Sequence, residues 1–342
     1  MKSLLSWINE SNIQKISDLI VEGGHVFDGG SDPIKKEYIK GTLDKFIKEF
    51  VRVCPKAKNH FENPQTLGSV GKKDLSGDID IAMDEKCFTS LDDWDLDQKY
   101  VDELCEKFKK RARTATPQQL MKRAIITALG EKINKESELI KTDQKQSASG
   151  VLFCQFPQYD ESGKELELTV QIDINFGDVD WLKFAYFSDS YTGNVKGLHR
   201  TQLMLHLFAY KGYTFGHNYG VKEKESGKQV ANTPKDAIDL LNKLYHFNLD
   251  EKTLQNYHKL QEYLREHLKE KDLDGIYDIY LKTLDSTRCD IPDDLQEYWI
   301  KNKERLGLKG KFLPDNSRLK IYVNKCTMKD IWNFTNIMLN HV

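Results

Sequence analysis

Residues 67–81 read LGSVGKKDLSGDIDI, and this stretch decides the fold. Successive side chains of a β-strand point to opposite faces, so Asp78 and Asp80 point to the same face. The isoleucines that follow each aspartate point to the other face, which predicts a strand packed on the core. Two carboxylates on the open face can bind a divalent cation, because hard cations prefer oxygen ligands.

A Gly68-Ser69 turn lies just before these aspartates. Its backbone N–H groups and the serine hydroxyl can donate to phosphate oxygens. Lys72 and Lys73 follow closely enough to neutralise phosphate charge. The stretch therefore predicts a site where a nucleotide and a metal ion meet.

The composition is typical of a soluble globular protein. The chain has 342 residues, of which 39% are hydrophobic and 30% charged, a length that predicts about two domains. Lys and Arg total 51 against 53 Asp and Glu, for a formal net charge of -2. This balance argues against a protein that coats long duplexes through bulk charge, and it leaves room for a local basic groove.

The cysteines and the hydropathy pattern indicate a cytoplasmic protein. The six cysteines are scattered without a Cys-x-x-Cys pair, which predicts reduced thiols and neither a zinc site nor a disulfide framework. The first ten residues lack the apolar run of a signal peptide, and no later segment approaches a membrane span. We expect the chain to be neither secreted nor membrane-embedded.

Periodicity predicts a mixed sheet with flanking helices in the first part of the chain. Apolar residues spaced by three and four predict amphipathic helices within 34–53 and around 101–108. Strands are predicted at 151–156 and 166–176. In the second of these strands the even positions are apolar and the odd positions polar, so Asp173 stands on the open face.

From about residue 195 the pattern is helical. A buried helix is predicted at 198–210, and Thr233-Pro234 predicts the capped start of another helix that ends at Tyr245. Apolar spacing predicts one amphipathic helix over 254–268 and a further helix at 292–299.

A third carboxylate on an adjacent strand makes nucleotidyl transfer the chemical hypothesis. Two Mg²⁺ ions about 3.5–4 Å apart can activate an acceptor hydroxyl and shield the leaving pyrophosphate. Asp78 and Asp80 would bridge both ions, with Mn²⁺ as a substitute metal. Asp173 would complete the ion next to the acceptor hydroxyl and could take its proton. Glu167, on the same predicted face, is the substitute for Asp173, and a solvated sheet face is the non-catalytic interpretation.

The motif from Gly68 to Ile81 resembles the signature of the DNA polymerase β-like nucleotidyltransferase superfamily. The segment SGDID at 76–80 is closest to the family X DNA polymerases. The residue pattern predicts an α+β fold, with a mixed β-sheet flanked by helices and a mostly α-helical region after it. The resemblance implies that the sheet with its flanking helices is a nucleotidyltransferase palm. It also implies that Ser69 and the backbone of Gly68 and Gly77 hold the triphosphate, and that the three aspartates bind the metals. The two lysines occupy positions where that family commonly has arginines.

A second segment, AYFS at 185–188, resembles the Tyr-Phe motif of family X. The resemblance implies that Tyr186 and Phe187 pack against the sugar of the incoming nucleotide, and core packing is the alternative. Arg200 on the next helix is a candidate contact for phosphate or template, with a surface salt bridge as the alternative.

Three departures separate the chain from the repair polymerases, and one of them is a further helical region that follows to Val342. The motif begins at residue 68, which we expect to leave too little chain for their N-terminal lyase region. The interval between Asp80 and Asp173 is longer than in that family. The domain prediction is a palm with N-terminal helices at 1–190 and a helical domain at 191–342 that binds nucleotide and acceptor.

Basic residues in the long interval have two interpretations. A solvated helix face is favoured over a track for the phosphates of a polymer. The residues are Lys107, Lys109, Lys110, Arg111, Arg113, Lys122 and Arg123.

The histidines are weaker candidates. His199 and His206 share a helix without a carboxylate or thiol at metal spacing, so ordinary packing is favoured. His217 lies in a turn-rich stretch and is not predicted as a site residue.

The sequence thus predicts a Mg²⁺-dependent nucleotidyltransferase that transfers an NMP from an NTP to an acceptor hydroxyl. A nucleic acid 3′ end is the predicted acceptor, with RNA weakly favoured. Nucleotidylation of a small molecule or a protein, and a non-catalytic relative that binds nucleotide or nucleic acid, are the alternatives.

Overall fold

The described part of the chain divides into two compact units, one ending at Ile276 and one beginning at Tyr277. The predicted domain boundary at residue 190 stays a prediction. Most of the N-terminal helices predicted before residue 34 lie outside the described residues. The computed structural model describes residues 26–27, 30–110, 116–143, 150–189, 195–287 and 289–308.

Helices and strands are mixed along the described residues up to 231, and only helices follow from 234 to 306. The strands are β1 (Ile34–Lys35), β2 (Gln65–Thr66), β3 (Leu75–Ser76), β4 (Asp78–Asp84), β5 (Lys141–Thr142), β6 (Val151–Tyr159), β7 (Glu165–Gly177), β8 (Tyr213–Gly216), β9 (Gly220–Glu223) and β10 (Gln229–Ala231). The α-helices are α1 (Lys36–Val53), α2 (Gln98–Lys109), α3 (Pro117–Glu136), α4 (Val179–Ala185), α5 (Gly197–Tyr210), α6 (Pro234–Tyr245), α7 (Glu251–Gln255), α8 (Tyr257–His267), α9 (Glu270–Thr287) and α10 (Gln296–Leu306). None of the helices in these ranges is both long and apolar enough to cross a membrane.

The main sheet has the strand order β2-β4-β7-β6-β5. Its two central strands, β4 and β7, pair in parallel, and the other neighbouring pairs are antiparallel. Parallel pairing requires a crossover connection, which here contains α2, α3, β5 and β6. A mixed sheet flanked by helices is therefore confirmed, and its identity as a nucleotidyltransferase palm stays a prediction.

One face of the sheet forms the core of the first unit. Ile79 and Ile81 of β4 are fully buried, as are Ile172 and Ile174 of β7. Each such side chain stabilises the fold by about 1.5–3 kcal/mol relative to an exposed one. Helix α1 packs on this face through its apolar stripe, as its spacing predicts. The odd-numbered side chains of β7 are left on the opposite, polar face.

The crossover helices form a second cluster. Val101, Leu104 and Phe108 of α2 pack with Leu120 of α3, which confirms the predicted stripe of α2. Helix α3 begins with a capping box at Thr116, which satisfies backbone N–H groups that the helix cannot pair itself.

The helical prediction after residue 195 is wrong between 213 and 231. Strands β8, β9 and β10 form a small antiparallel sheet there. Strands of three or four residues are too short to show a clear alternation. The better signal for a turn between two strands is the pair of glycines at 216 and 220. Gly220 has φ +86°, and a Cβ there would lie 2.1 Å from the Ala231 carbonyl oxygen, so this position requires glycine.

The C-terminal part of the first unit confirms one helix boundary and corrects another. Thr233 accepts a hydrogen bond from the Asp236 N–H at 3.1 Å and caps α6 as predicted. The single helix predicted over 254–268 is wrong, because Asn256 is extended and separates α7 from α8. Its side chain accepts from the Lys259 N–H at 3.0 Å and so starts a new helix.

In the second unit, α10 begins later than predicted and extends further. Its first residue is Gln296, preceded by a 3₁₀ turn at Asp293–Leu295. Arg305 Nη2 lies 2.7 Å from Asp278 Oδ1, and the Tyr298 hydroxyl donates to the same oxygen at 2.9 Å. These bonds connect α10 to the middle of α9.

Candidate active site

The polar face of the main sheet brings the three predicted aspartates together. Asp80 of β4 is the direct register partner of Asp173 on β7. Asp78 lies two residues earlier on β4, opposite Gln171. Direct neighbours on paired strands have side chains within contact range. The register therefore places Asp173 beside the Asp78 and Asp80 pair, as the sequence predicts.

The substitute carboxylate, Glu167, lies elsewhere. It belongs to the exposed first part of β7, before the segment that pairs with β4. Strands extend by about 3.3 Å per residue, so Glu167 is roughly 20 Å along the strand from Asp173. Glu167 cannot replace Asp173 beside Asp80.

Two amide side chains that the sequence interpretation missed hold the aspartates. Gln171 Nε2 donates to both carboxylate oxygens of Asp173, at 2.9 and 3.0 Å. Asn175 Nδ2 donates to Asp80 Oδ1 at 3.1 Å. Both amides are almost fully buried, at 3% and 1% exposed. The sequence signal for them was that amide residues stand two positions before and two positions after Asp173, on the same face of the strand.

Burial and mutual repulsion govern the protonation of the carboxylates. Burial first, and then the charge of Asp78, raises the pKa of Asp80 to about 7, against an opposing hydrogen bond from Asn175. Burial and the charges of Asp80 and Asp78 likewise hold the pKa of Asp173 well above its ordinary value. Without a cation these carboxyl groups therefore tend to hold protons, which a bound cation would displace.

The aspartates provide the oxygen ligands that Mg²⁺ prefers. Within the described ranges, no group of three or more His, Cys, Asp or Glu side chains is already arranged to hold a metal ion. Both oxygens of Asp173 accept from Gln171 and each has a further lone pair for a cation. The donor chemistry fits a hard cation, and metal binding stays a hypothesis.

The glycine turn lies directly against Asp80. The Leu67 N–H donates to the Asp80 carbonyl oxygen at 2.9 Å. Gly68 has φ +62°, and a Cβ on it would lie 3.6 Å from Asp80 Oδ2 and 3.9 Å from the Tyr186 carbonyl oxygen. Ser69 follows in the same turn, where its carbonyl accepts from the Lys72 N–H at 3.0 Å. The turn therefore lies between the aspartates and the end of α4.

The basic and aromatic residues of the two motifs meet at this turn. Lys72 Nζ donates to the Ser188 carbonyl oxygen and lies 4.8 Å from the centre of the Phe187 ring. Burial lowers the pKa of Lys72. Burial and the charges of Asp80 and Asp173 raise the pKa of the Tyr186 hydroxyl. The structure thus brings Tyr186 and Phe187 to the site. Lys73 and Gly77 are partly buried nearby in sequence.

A cavity of about 640 Å³ opens beside the turn, a size typical of small-molecule sites. Two of its lysines, Lys183 on α4 and Lys235 on α6, were not predicted as site residues. The lining residues are Thr66, Leu67, Gly68, Lys72, Asp180, Lys183, Phe184, Phe187, Thr233, Pro234, Lys235, Glu251 and Gln255.

Arg200 is placed away from any exposed phosphate site. Its side chain is 0% exposed. Nε donates to the Leu254 carbonyl oxygen at 2.7 Å, and Nη1 donates to the Phe184 carbonyl oxygen at 2.7 Å. Neither predicted role, contact with phosphate or a surface salt bridge, matches this position. Arg200 instead joins α4, α5 and α7.

The histidines differ in their positions. The His217 ring centre lies 5.0 Å from that of Tyr186, and burial, with the charge of Arg200, lowers its pKa. His206 Nδ1 contacts the Gln202 carbonyl oxygen within α5, and His199 Nδ1 accepts from the Lys196 N–H at the start of that helix. Of these three histidines, His217 borders the site.

The described basic residues of the crossover divide into two groups: three are exposed at the C-terminal end of α2 (Lys107, Lys109 and Lys110), and two make contacts within the protein (Lys122 and Arg123). Lys122 Nζ pairs with Glu85 at 3.0 Å and donates to the Phe176 carbonyl oxygen. The Arg123 guanidinium lies 4.3 Å from the Phe108 ring centre. Arg111 and Arg113 lie outside the described residues. These positions match the favoured interpretation of a helix face better than a phosphate track.

Comparison of the sequence with models of protein families gave no match, and comparison with curated proteins gave none either. The likeness of the first motif to the DNA polymerase β-like superfamily therefore stays a hypothesis. The functional conclusion depends on the geometry of the site.

Proposed function

We propose that the chain is a Mg²⁺-dependent nucleotidyltransferase that transfers an NMP from an NTP to an acceptor hydroxyl. The observation that carries the proposal is the pairing of Asp80 with Asp173 on parallel strands, with Asp78 on the same face. The glycine turn lies against Asp80, and the cavity beside it contains three lysines. Carboxylates, backbone N–H groups at a glycine turn and local positive charge are the groups that phosphoryl chemistry needs.

Asp78, Asp80 and Asp173 would hold Mg²⁺, which supplies charge neutralisation on the phosphates and lowers the pKa of the acceptor hydroxyl. The backbone at Gly68 and the hydroxyl of Ser69 would donate to phosphate oxygens. Lys72, with Lys183 and Lys235 across the cavity, would neutralise the triphosphate. Phe187 would give the sugar an apolar surface.

The reaction exchanges one bond to phosphorus for another. The acceptor oxygen attacks the α-phosphorus, and its proton passes to a carboxylate oxygen of Asp173. The new O–P bond forms as the bond between the α-phosphorus and the bridging oxygen breaks, and pyrophosphate leaves.

We propose a nucleic acid 3′ hydroxyl, with RNA favoured, as the acceptor. Transfer to a small molecule or a protein side chain is the second candidate, and a specific observation favours it: Lys122 and Arg123 are engaged inside the protein and do not form a basic track. A non-catalytic nucleotide-binding protein is the third, favoured by the lack of a preformed three-ligand cluster among the described residues.

The test supplies purified protein with Mg²⁺ or Mn²⁺, each α-labelled NTP, and separate RNA, DNA, protein and metabolite fractions. We expect pyrophosphate release and label in the nucleic acid fraction. Asp78→Asn should reduce both to background. Asp84→Asn is the matched control, because Asp84 is on the same strand but caps a 3₁₀ turn at the Lys86 N–H, and it should retain activity.

The outcomes separate the candidates. Label in the protein or metabolite fraction would show that the acceptor is a protein or a small molecule and not a nucleic acid. Metal-dependent NTP binding without turnover on any fraction would favour the non-catalytic candidate. Pyrophosphate release that persists in Asp78→Asn would contradict the aspartate mechanism itself.

A further inference from the structure

Gln171 contacts Asp173 in a way that restricts the motion of its carboxylate. Its Nε2 donates to both Oδ1 and Oδ2, at 2.9 and 3.0 Å. The terminal torsion of an aspartate is broad and permits many carboxylate orientations. One amide group that donates to both oxygens favours a single orientation. Because Gln171 is 3% exposed, water competes little for these bonds.

The amide of Gln171 is itself oriented by the backbone near the start of the described chain. The Val26 N–H donates to Gln171 Oε1 at 3.2 Å. A backbone N–H can only donate, so it faces the amide oxygen and leaves the NH₂ group to donate to Asp173. A continuous set of hydrogen bonds therefore connects Val26, Gln171 and Asp173.

Residues 30–33, which follow Val26 in the chain, are held to β6 and β7 by other hydrogen bonds. Gln155 on β6 donates to the Gly30 carbonyl oxygen at 2.9 Å and to Ser31 Oγ at 3.1 Å. The Asp32 N–H donates to the Thr169 carbonyl oxygen at 2.8 Å. Gln155 is the register partner of Gln171 across β6 and β7. It holds this segment without a hydrogen bond to an aspartate.

We propose that Gln171 is a positioning residue that orients the Asp173 carboxylate for nucleotidyl transfer and couples it to the backbone at Val26. The inference rests on the proposed function, since Asp173 is assigned there to the metal and to the acceptor proton. Partners that orient metal-binding carboxylates typically change metal affinity or activity by about 10–100-fold when they are removed. Gln171 does not line the nucleotide cavity, so its loss should spare NTP binding.

The experiment compares Gln171→Met with Gln155→Met in the full chain. Methionine keeps the length of glutamine and removes the amide. We expect Gln171→Met to lower kcat by about 10–100-fold with the KM for NTP changed less than about threefold. The same variant should weaken Mn²⁺ binding, measured without turnover by electron paramagnetic resonance in the presence of a non-hydrolysable NTP analogue. Gln155→Met should keep kcat and Mn²⁺ affinity within about twofold of the unmodified protein.

A second variant tests the same inference in case Gln171→Met does not fold. Val26→Pro removes the N–H that orients the amide and leaves Gln171 intact. We expect a smaller loss of kcat in the same direction, again with little change in the KM for NTP. Circular dichroism and thermal unfolding of each variant establish that it is folded.

The results distinguish failure of this inference from failure of the proposed function. If the unmodified protein shows neither turnover nor Mn²⁺ binding, the proposed function fails and the inference fails with it. If the unmodified protein turns over and both Gln171→Met and Val26→Pro match it in kcat and Mn²⁺ affinity, the inference alone is overturned. Equal losses in Gln171→Met and Gln155→Met would also overturn it, because they would show a general effect of anchoring the segment.

Discussion

At the scale of single residues, Gly68 and Gly71 form a natural comparison. Both have a positive φ, +62° and +71°, which a side chain adopts at a cost of roughly 1–2 kcal/mol. A Cβ on Gly68 would lie 3.6 Å from Asp80 Oδ2, whereas a Cβ on Gly71 would have no neighbour within 4 Å. A side chain would therefore be strained at both positions, but only at Gly68 would it also contact the candidate site.

We therefore expect Gly68→Ala and Gly71→Ala to lower the free energy of unfolding by similar amounts. Only Gly68→Ala should also lower kcat/KM strongly, on the order of 10²-fold, because its methyl group would occupy the space in front of Asp80. Urea unfolding and steady-state kinetics on both variants provide the check. Equal activity of the two variants would mean that phosphate does not approach Gly68.

At the scale of elements, Arg200 joins three helices by donating to backbone carbonyls of α4 and α7. Arg200→Met leaves these buried acceptors without their donor. We expect the free energy of unfolding to fall by on the order of 3 kcal/mol. Because Tyr186 and Phe187 directly follow α4, the KM for NTP should rise as well. Urea unfolding and NTP titration measure the two effects.

Arg52→Met serves as the control for that prediction. Arg52 is exposed, pairs with Glu49 on the same helix at 2.8 Å, and donates to the Glu136 carbonyl oxygen at 2.7 Å. Exposed ion pairs contribute little to stability, so this variant should change unfolding less and leave the KM for NTP unchanged. Similar effects of the two substitutions would contradict a special role for the buried arginine.

Some elements could be predicted from the sequence and others could not. Helix α6 was predictable because Thr233 and Pro234 are strong local start signals. The break between α7 and α8 was not, because apolar spacing continues past Asn256 and the extended backbone there is visible only in three dimensions. The small sheet was missed because its strands are too short for periodicity to distinguish.

At the scale of the whole molecule, the carboxylates should make stability depend on pH. The pKa of Asp80 is raised to about 7, against about 3.9 in an unfolded chain. Between these values the folded protein binds a proton that the unfolded chain has released. The stability from this group is fully present below about pH 4 and is lost as pH rises through about 7.

We expect the free energy of unfolding of the metal-free protein, relative to that of Asp80→Asn, to decrease steadily from pH 5 to pH 8. Urea unfolding in the presence of a chelator measures this difference. Added Mg²⁺ should reduce the decrease, because a cation favours the ionised carboxylate. A difference that stays constant with pH would contradict the raised pKa.

The site as a whole was only partly open to prediction from the sequence. Period-two alternation identifies the face of Asp78, Asp80 and Asp173, because it depends on each strand alone. The partners Gln171 and Asn175 depend on register and rotamer, which no single strand determines. The burial of Arg200 likewise depends on how three helices meet. Local rules therefore gave the carboxylates and missed the groups that orient them.

The parallel pairing of β4 with β7 has a consequence for the order of folding. Asp80 and Asp173 become neighbours only after the chain between them, including α2, α3 and β6, has been brought back to the sheet. Such distant contacts form slowly, because the entropy of closing a long loop is lost before the contact stabilises it. A nascent chain that has not yet extended past β7 contains Asp78 and Asp80 but cannot yet place Asp173 beside them. We therefore expect the carboxylate site to form late, together with the central pair of strands, and an incompletely synthesised chain to lack the proposed site.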